Sequence, residues 1–200
     1  LTDNNELKVE YEAETDKTTV INPTQHSYFN LSGESSGDVL DHLLVLNADN
    51  YLPVNKKIIP TGEIRSVEGT PFDFRERKKI GRDLNENDDQ LDLGNGYDHC
   101  WVLNDYDKKF RKISEVFSDK TKIKMDVFTD LPGVQLYIGN FLDGTLKSKK
   151  GKQYIRRSGF CLETQFFPNS PNNQNFPSTI LHPGKSFFSK TSFKFSVVGD

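Results

Sequence analysis

Apolar and polar residues alternate strictly over Leu7-Lys8-Val9-Glu10-Tyr11-Glu12-Ala13, the two-residue period of a strand with one buried face. Ile123-Lys124-Met125-Asp126-Val127-Phe128-Thr129 repeats the pattern until its end, and Val134–Asn140 and Phe193–Val197 give two further strands. The short apolar run Leu43-Leu44-Val45-Leu46 predicts a strand buried on both faces. Between these lie clusters of Gly, Pro, Asn and Ser that mark turns, at Ser32–Gly37, Pro60–Gly62, Leu131–Gly133 and Pro168–Asn173. Short strands separated by such turns predict a sandwich or barrel. The stretch Arg75 to Asp92 is the best candidate for a helix, and the acidic part of it from Asn85 reads as a solvated loop. With no internal repeat and no linker, residues 1–200 read as a single β domain.

Composition strengthens this picture. Val, Ile, Thr, Phe, Tyr and Trp supply 58 of the 200 residues, against only two alanines, Ala13 and Ala48. A mean hydropathy of −0.66 is polar for a chain of this size. Fifteen Phe, seven Tyr and one Trp nevertheless exclude a disordered tail. A net charge of −3 argues against a nucleic-acid partner. No apolar run reaches the roughly 18 residues of a membrane span, and the opening residues do not read as a signal peptide. Cys100 and Cys161 are too few for a disulfide scaffold and read as reduced thiols of a cytoplasmic protein, with a disulfide between them as the alternative.

The candidate chemistry is concentrated. His26, His42, His99 and His182 show no close HxH or HxxxH spacing, so they read as structural histidines and no metal site is expected. Gly94-Asn95-Gly96 reads as a tight turn rather than a nucleotide loop, and Lys147–Lys152 as a charged hairpin tip. Asn30-Leu31-Ser32 has the form of a glycosylation acceptor with nothing else pointing to secretion. Three segments stand apart: Asn22–Leu31, Gly96–Trp101 and Phe160–Pro168 each pack ionisable, amide and aromatic groups together. Each taken alone fits a core with a few hydrogen-bonded polar residues. Glu163, flanked by Cys161 and Leu162, fits that least well, because a desolvated carboxylate is costly unless paired and its raised pKa suits a general base.

These segments resemble the galactose mutarotase (aldose 1-epimerase) family. The matching stretches are NPTQHSYFNL at 22–31, YLPVNKKIIPTGEI at 51–64, TPFDFR at 70–75, GYDH at 96–99, PGVQLYIGNFLDGTL at 132–146 and SGFCLETQFFPNSPNNQNFPSTILHPG at 158–184. They occur in the family's order. Within them Gln25 stands where the family usually has Asn, and Pro23 where Leu is common. The resemblance implies a large antiparallel β-sandwich of the mutarotase-like supersandwich type, incomplete at its N-terminus. On that resemblance this chain is expected to correspond to the C-terminal portion, with the family's N-terminal part carrying a second histidine and an arginine that face the sugar.

The resemblance further implies interconversion of the α and β anomers of a free hexose such as galactose or glucose, without cofactor, metal, nucleic acid or membrane. Carried over residue by residue, His26 is the general acid and Glu163 the general base. Asp98 and Gln135 contact the sugar hydroxyls, and Ser27 and Tyr28 adjoin the histidine. An ordinary carboxylate pKa of about 4.3 and imidazole pKa of about 6.5 make a workable base–acid pair near neutrality. Tyr28, Trp101 and Phe166 are candidates to cover the apolar face of a pyranose, with core packing preferred for Phe166. The alternatives are a non-catalytic sugar-binding module or inactive fragment on the same fold, and a glycosidase using Asp98 and Glu163 as its two carboxylates.

Overall fold

The computed structural model describes residues 1–199. Thirteen strands alternate with turns: β1 (Glu6–Ala13), β2 (Thr19–Val20), β3 (Leu43–Leu46), β4 (Asn50–Leu52), β5 (Arg65–Ser66), β6 (Lys78–Lys79), β7 (Asp98–Val102), β8 (Arg111–Phe117), β9 (Ile123–Thr129), β10 (Gly133–Tyr137), β11 (Cys161–Gln165), β12 (Ile180–Leu181) and β13 (Phe187–Val197). All pairings are antiparallel. Six strands form one sheet in the order β1-β13-β9-β8-β3-β6, five form a second in the order β11-β10-β7-β4-β5, and β12 and β2 form a small ribbon. The alternating segments read from the sequence are β1, β9, β10 and the end of β13.

The two large sheets share one core. Leu44, Leu46, Ile113, Val116, Met125, Val127 and Phe193 from the six-stranded sheet meet Trp101, Val134, Leu136 and Leu162 from the five-stranded sheet. The all-β sandwich expected from the pattern is therefore the architecture found. β3 departs from expectation, because only Leu44 and Leu46 are fully buried while Leu43 and Val45 are intermediate. Its neighbours β6 and β8 put it inside the sheet, but only one of its faces meets the second sheet.

The helix lies further along the chain than expected. Residues 75–88 run through β6 and a series of turns, and α1 spans Asp89–Gly94. Its start is set by Asp88, whose side chain accepts hydrogen bonds from the backbone N–H groups of Gln90 and Leu91. The acidic stretch is thus a cap and first turn rather than a solvated loop throughout. Lys78 cannot sit on an exposed helical face, because its Nζ is buried, donates to Pro71 O and Asp83, and lies 4.2 Å from the centre of the Phe74 ring. Asn95, in the left-handed conformation at φ 53°, ends the helix, and Gly96 at φ 121° turns the chain into β7. A side chain at Gly96 would collide with Asn140, whose amide donates to Gly94 O and Tyr97 O and holds this turn closed. Among the described residues no helix is long and apolar enough to cross a membrane.

Candidate active site

The five-stranded sheet sorts its residues by parity. Its inner face carries His99 and Trp101 of β7, Val134 and Leu136 of β10, and Leu162 and Thr164 of β11. The alternate positions point the other way, and register brings them side by side. Gln135 pairs with Glu163 on one side and Cys100 on the other, while Tyr137 pairs with Cys161 and Asp98. Asp98, Cys100, Gln135, Tyr137, Glu163 and Gln165 therefore form the floor of a cleft of about 410 Å³. His26, Tyr28, Phe141 and the loop residues Val54, Ile58, Pro60 and Pro168 form its walls.

His26 arrives on a segment with an unusual attachment. β11 is an edge strand, and an edge leaves backbone groups to be satisfied. Residues 22–29 run antiparallel along that edge and bond to it largely through side chains. The Asn22 amide donates to Phe166 O at 3.0 Å and accepts from Phe166 N at 2.8 Å. Thr24 donates to Thr164 O at 2.8 Å, and Gln25 Nε2 donates to Leu162 O at 3.0 Å while its Oε1 accepts from Ser27 N. Backbone pairing resumes only at Phe29 and Phe160. The Gln at position 25 thus fastens the segment to the strand directly beside the histidine.

This attachment points His26 and Tyr28 into the cleft, with ring centres 5.1 Å apart. His26 Nε2 lies 3.3 Å from Glu163 Oε1, and its Nδ1 lies 3.4 Å from Cys161 Sγ. The imidazole side chain is 50% exposed and the carboxylate 11%. Burial, reinforced by the nearby Asp98 carboxylate and opposed by His26, pushes the Glu163 pKa up to about 7. Burial also raises Asp98, while the hydrogen bond from Gln135 Nε2, at 2.8 Å, favours its ionised form. Gln165 Nε2 donates in turn to Gln135 Oε1, so two amides in series orient the Asp98 carboxylate. Burial, with smaller contributions from the acidic groups around it, moves the Tyr28 hydroxyl up to about 12, so it is a neutral hydrogen-bonding group across the physiological range.

Of the residues singled out from sequence, His26, Tyr28, Asp98, Gln135 and Glu163 converge here. Ser27 does not line the cleft: between two residues that face inward, it lies on the opposite side of an extended segment. Trp101 is fully buried in the core, donating from its indole N–H to Phe72 O, and Phe166 packs on Phe187 away from the cleft. The other histidines lie outside the cleft. His42 is buried, with Nδ1 donating to Val39 O and Nε2 accepting from Leu31 N. His99 is buried against Tyr51 and Phe72, and His182 contacts Thr18. The Asn30 amide is occupied by Gly37 O and Ser158 O.

Tyr137, Phe141, Gln165 and Cys161 were not assigned to the site from the sequence. The signal was present for three of them: Tyr137 is two residues beyond Gln135 on β10, and Cys161 and Gln165 flank Glu163 at the same spacing on β11. Phe141, 63% exposed at the rim and stacked on Tyr137, lies on a loop for which no periodicity speaks.

The sequence profile of aldose 1-epimerases matches residues 1–194. The galactose mutarotase of Bos taurus is 46% identical over 195 residues, which cover 98% of this chain and 55% of that protein. The aldose 1-epimerase of Escherichia coli K12 is 40% identical over 197 residues, covering 98% of this chain and 56% of that one. Among solved structures, the aldose epimerase homologue from C. elegans superimposes with a TM-score of 0.87 at 31% identity, covering 98% of this chain and 57% of that one. The galactose 1-epimerase of Lactobacillus acidophilus gives a TM-score of 0.82 at 32% identity, with 98% and 55% covered. The chain spans about half the length of the curated relatives it matches, and over that span it belongs to the aldose 1-epimerase family.

Proposed function

We propose that this chain carries the acid–base half-sites of an aldose 1-epimerase, which opens and recloses the ring of a free hexose such as galactose or glucose. The observation that supports it most directly is the placement of His26 Nε2 3.3 Å from Glu163 Oε1 on the floor of a cleft that also presents Asp98 and Gln135. Anomer exchange moves one proton off the C1 hydroxyl and puts one on the ring oxygen as the C1–O bond breaks. Both oxygens are bonded to the same carbon, so the base and the acid must stand close together. A contacting carboxylate and imidazole meet that requirement, whereas two carboxylates built for glycoside hydrolysis stand at least about 5 Å apart.

In this reading Glu163 takes the C1 hydroxyl proton and His26 protonates the ring oxygen. Rotation about C1–C2 then presents either face of the aldehyde, and the two groups reverse roles on closure. Protons and electrons balance within the sugar and the pair, so the chemistry calls for no cofactor. Asp98, oriented by Gln135, accepts from sugar hydroxyls, and Tyr28 with Phe141 flanks the apolar face of the ring. Two free thiols support a reducing, cytoplasmic setting.

Polarimetry on freshly dissolved α-D-galactose tests this. Rotation should decay faster than in buffer, and Glu163→Gln should remove about 10²–10⁴-fold of the acceleration. Galactose binding by saturation-transfer NMR without any accelerated decay would favour the sugar-binding module instead.

A further inference from the structure

Acid–base opening of a sugar ring has no use for a cysteine, yet one lies beside both proton-transfer groups. Cys161 and Glu163 are two residues apart on β11, so their side chains leave the same face of the sheet. The side-chain bonds of Asn22, Thr24 and Gln25 bring His26 against that face. The Sγ, one ring nitrogen and one carboxylate oxygen, one atom per residue, all lie within 4.8 Å of one another. Tetrahedral coordination with Zn–S of about 2.3 Å and Zn–N and Zn–O of about 2.1 Å places neighbouring ligand atoms about 3.4–3.6 Å apart. The observed 3.4 Å from Sγ to Nδ1 and 3.3 Å from Nε2 to Oε1 are close to that spacing. One nitrogen has to serve the metal, and the half-exposed imidazole has room to turn toward it.

We propose that Cys161, His26 and Glu163 form a three-ligand site for a zinc-type divalent cation inside the sugar cleft. Sulfur and imidazole ligands select zinc or cobalt over magnesium and calcium, which take oxygen donors. Three protein ligands leave the fourth position open toward the cleft, where water or a sugar hydroxyl fills it. On binding, the thiol proton leaves to solvent and the thiolate sulfur bonds the metal. The metal then holds the carboxylate and the imidazole that the proposed reaction needs as base and acid. Metal occupancy and the proposed anomer exchange draw on the same imidazole and carboxylate, so the two exclude one another. The metal site itself does not depend on the epimerase reading.

Cobalt(II) titration of the chain under reducing conditions provides the test, with optical absorption as the readout and no sugar present. One equivalent of cobalt should give intense visible d–d bands of a tetrahedral site and a near-ultraviolet sulfur-to-cobalt charge-transfer band, both bleached by zinc. Loss of an outer-shell partner already weakens metal binding about 10–100-fold, so Cys161→Ser should weaken it at least about 100-fold and abolish the charge-transfer band. Cys100→Ser should keep the band, because the sulfur that lies within 4.8 Å of both a ring nitrogen and a carboxylate oxygen is that of Cys161. Circular dichroism confirms that each variant is folded. Absence of the band at stoichiometric cobalt, or its survival in folded Cys161→Ser, would overturn the proposal.

Discussion

The two faces of the five-stranded sheet share one backbone and differ in almost everything else. On the inner face His99 is sealed against Tyr51 and Phe72 opposite Leu136, and burial pushes its pKa down to about 3. On the outer face, two residues of pairing away, burial pushes Glu163 up to about 7 beside a half-exposed imidazole. Desolvation is the largest cause in both cases, and it favours the neutral form of both groups. What separates them is access: His99 meets only protein, whereas Glu163 opens onto a cleft where a proton acceptor is useful. The same penalty is structural on one side and chemical on the other.

The largest break in this comparison comes from the inner face. Trp101→Ala should cost about 3–5 kcal/mol, because the indole is fully buried and its N–H bond to Phe72 O is lost with it. Urea denaturation reads this as a lower midpoint.

The next is opposite pH dependence. Between about pH 4.5 and 7 the folded chain holds a proton on Glu163 that the unfolded chain releases, so this group lowers stability as pH rises through that window. Between about pH 6.5 and 3 the unfolded chain protonates His99 and the folded chain does not, so this group lowers stability as pH falls. Glu163→Gln should therefore raise stability by about 1–3 kcal/mol at pH 8 and lose that advantage toward pH 4. His99→Leu should flatten the acid limb instead. Thermal denaturation at pH 4, 6 and 8 separates the two.

A smaller effect sharpens the outer face alone. The Asp98 carboxylate contributes to raising Glu163, so Asp98→Asn should move the rise of kcat/KM with pH downward. An unmoved profile would mean that burial and the facing His26 set the base without Asp98. The smallest effect is Gln25→Ala, which removes one bond to Leu162 O and one from Ser27 N at a cost of about 1 kcal/mol. It should lower kcat more than KM, since it loosens the segment that holds His26.

The period-2 segments were legible as strands because each needs only one buried face, and the convergence of His26, Asp98, Gln135 and Glu163 was legible through family motifs. Parity within the motifs carried more than was read from it: Cys161 and Gln165 follow from Glu163, and Tyr137 from Gln135, once β10 and β11 are strands. The position of α1 was not legible, because Arg75–Asp92 has charges at spacings that suit a helix or turns equally. Only Asp88 capping Gln90 and Leu91, with Lys78 drawn inside, decides between them. Trp101 was a plausible sugar platform until register placed it on the core face.

The attachment of residues 22–29 to β11 has a consequence of its own. A backbone ladder holds any sequence at one spacing, but a ladder built from Asn22, Thr24 and Gln25 writes the spacing into side-chain length. One methylene more or less at position 25 changes how far the histidine stands from the strand. Cleft width is thus adjustable by a residue that never faces the cleft, leaving every group on its floor untouched.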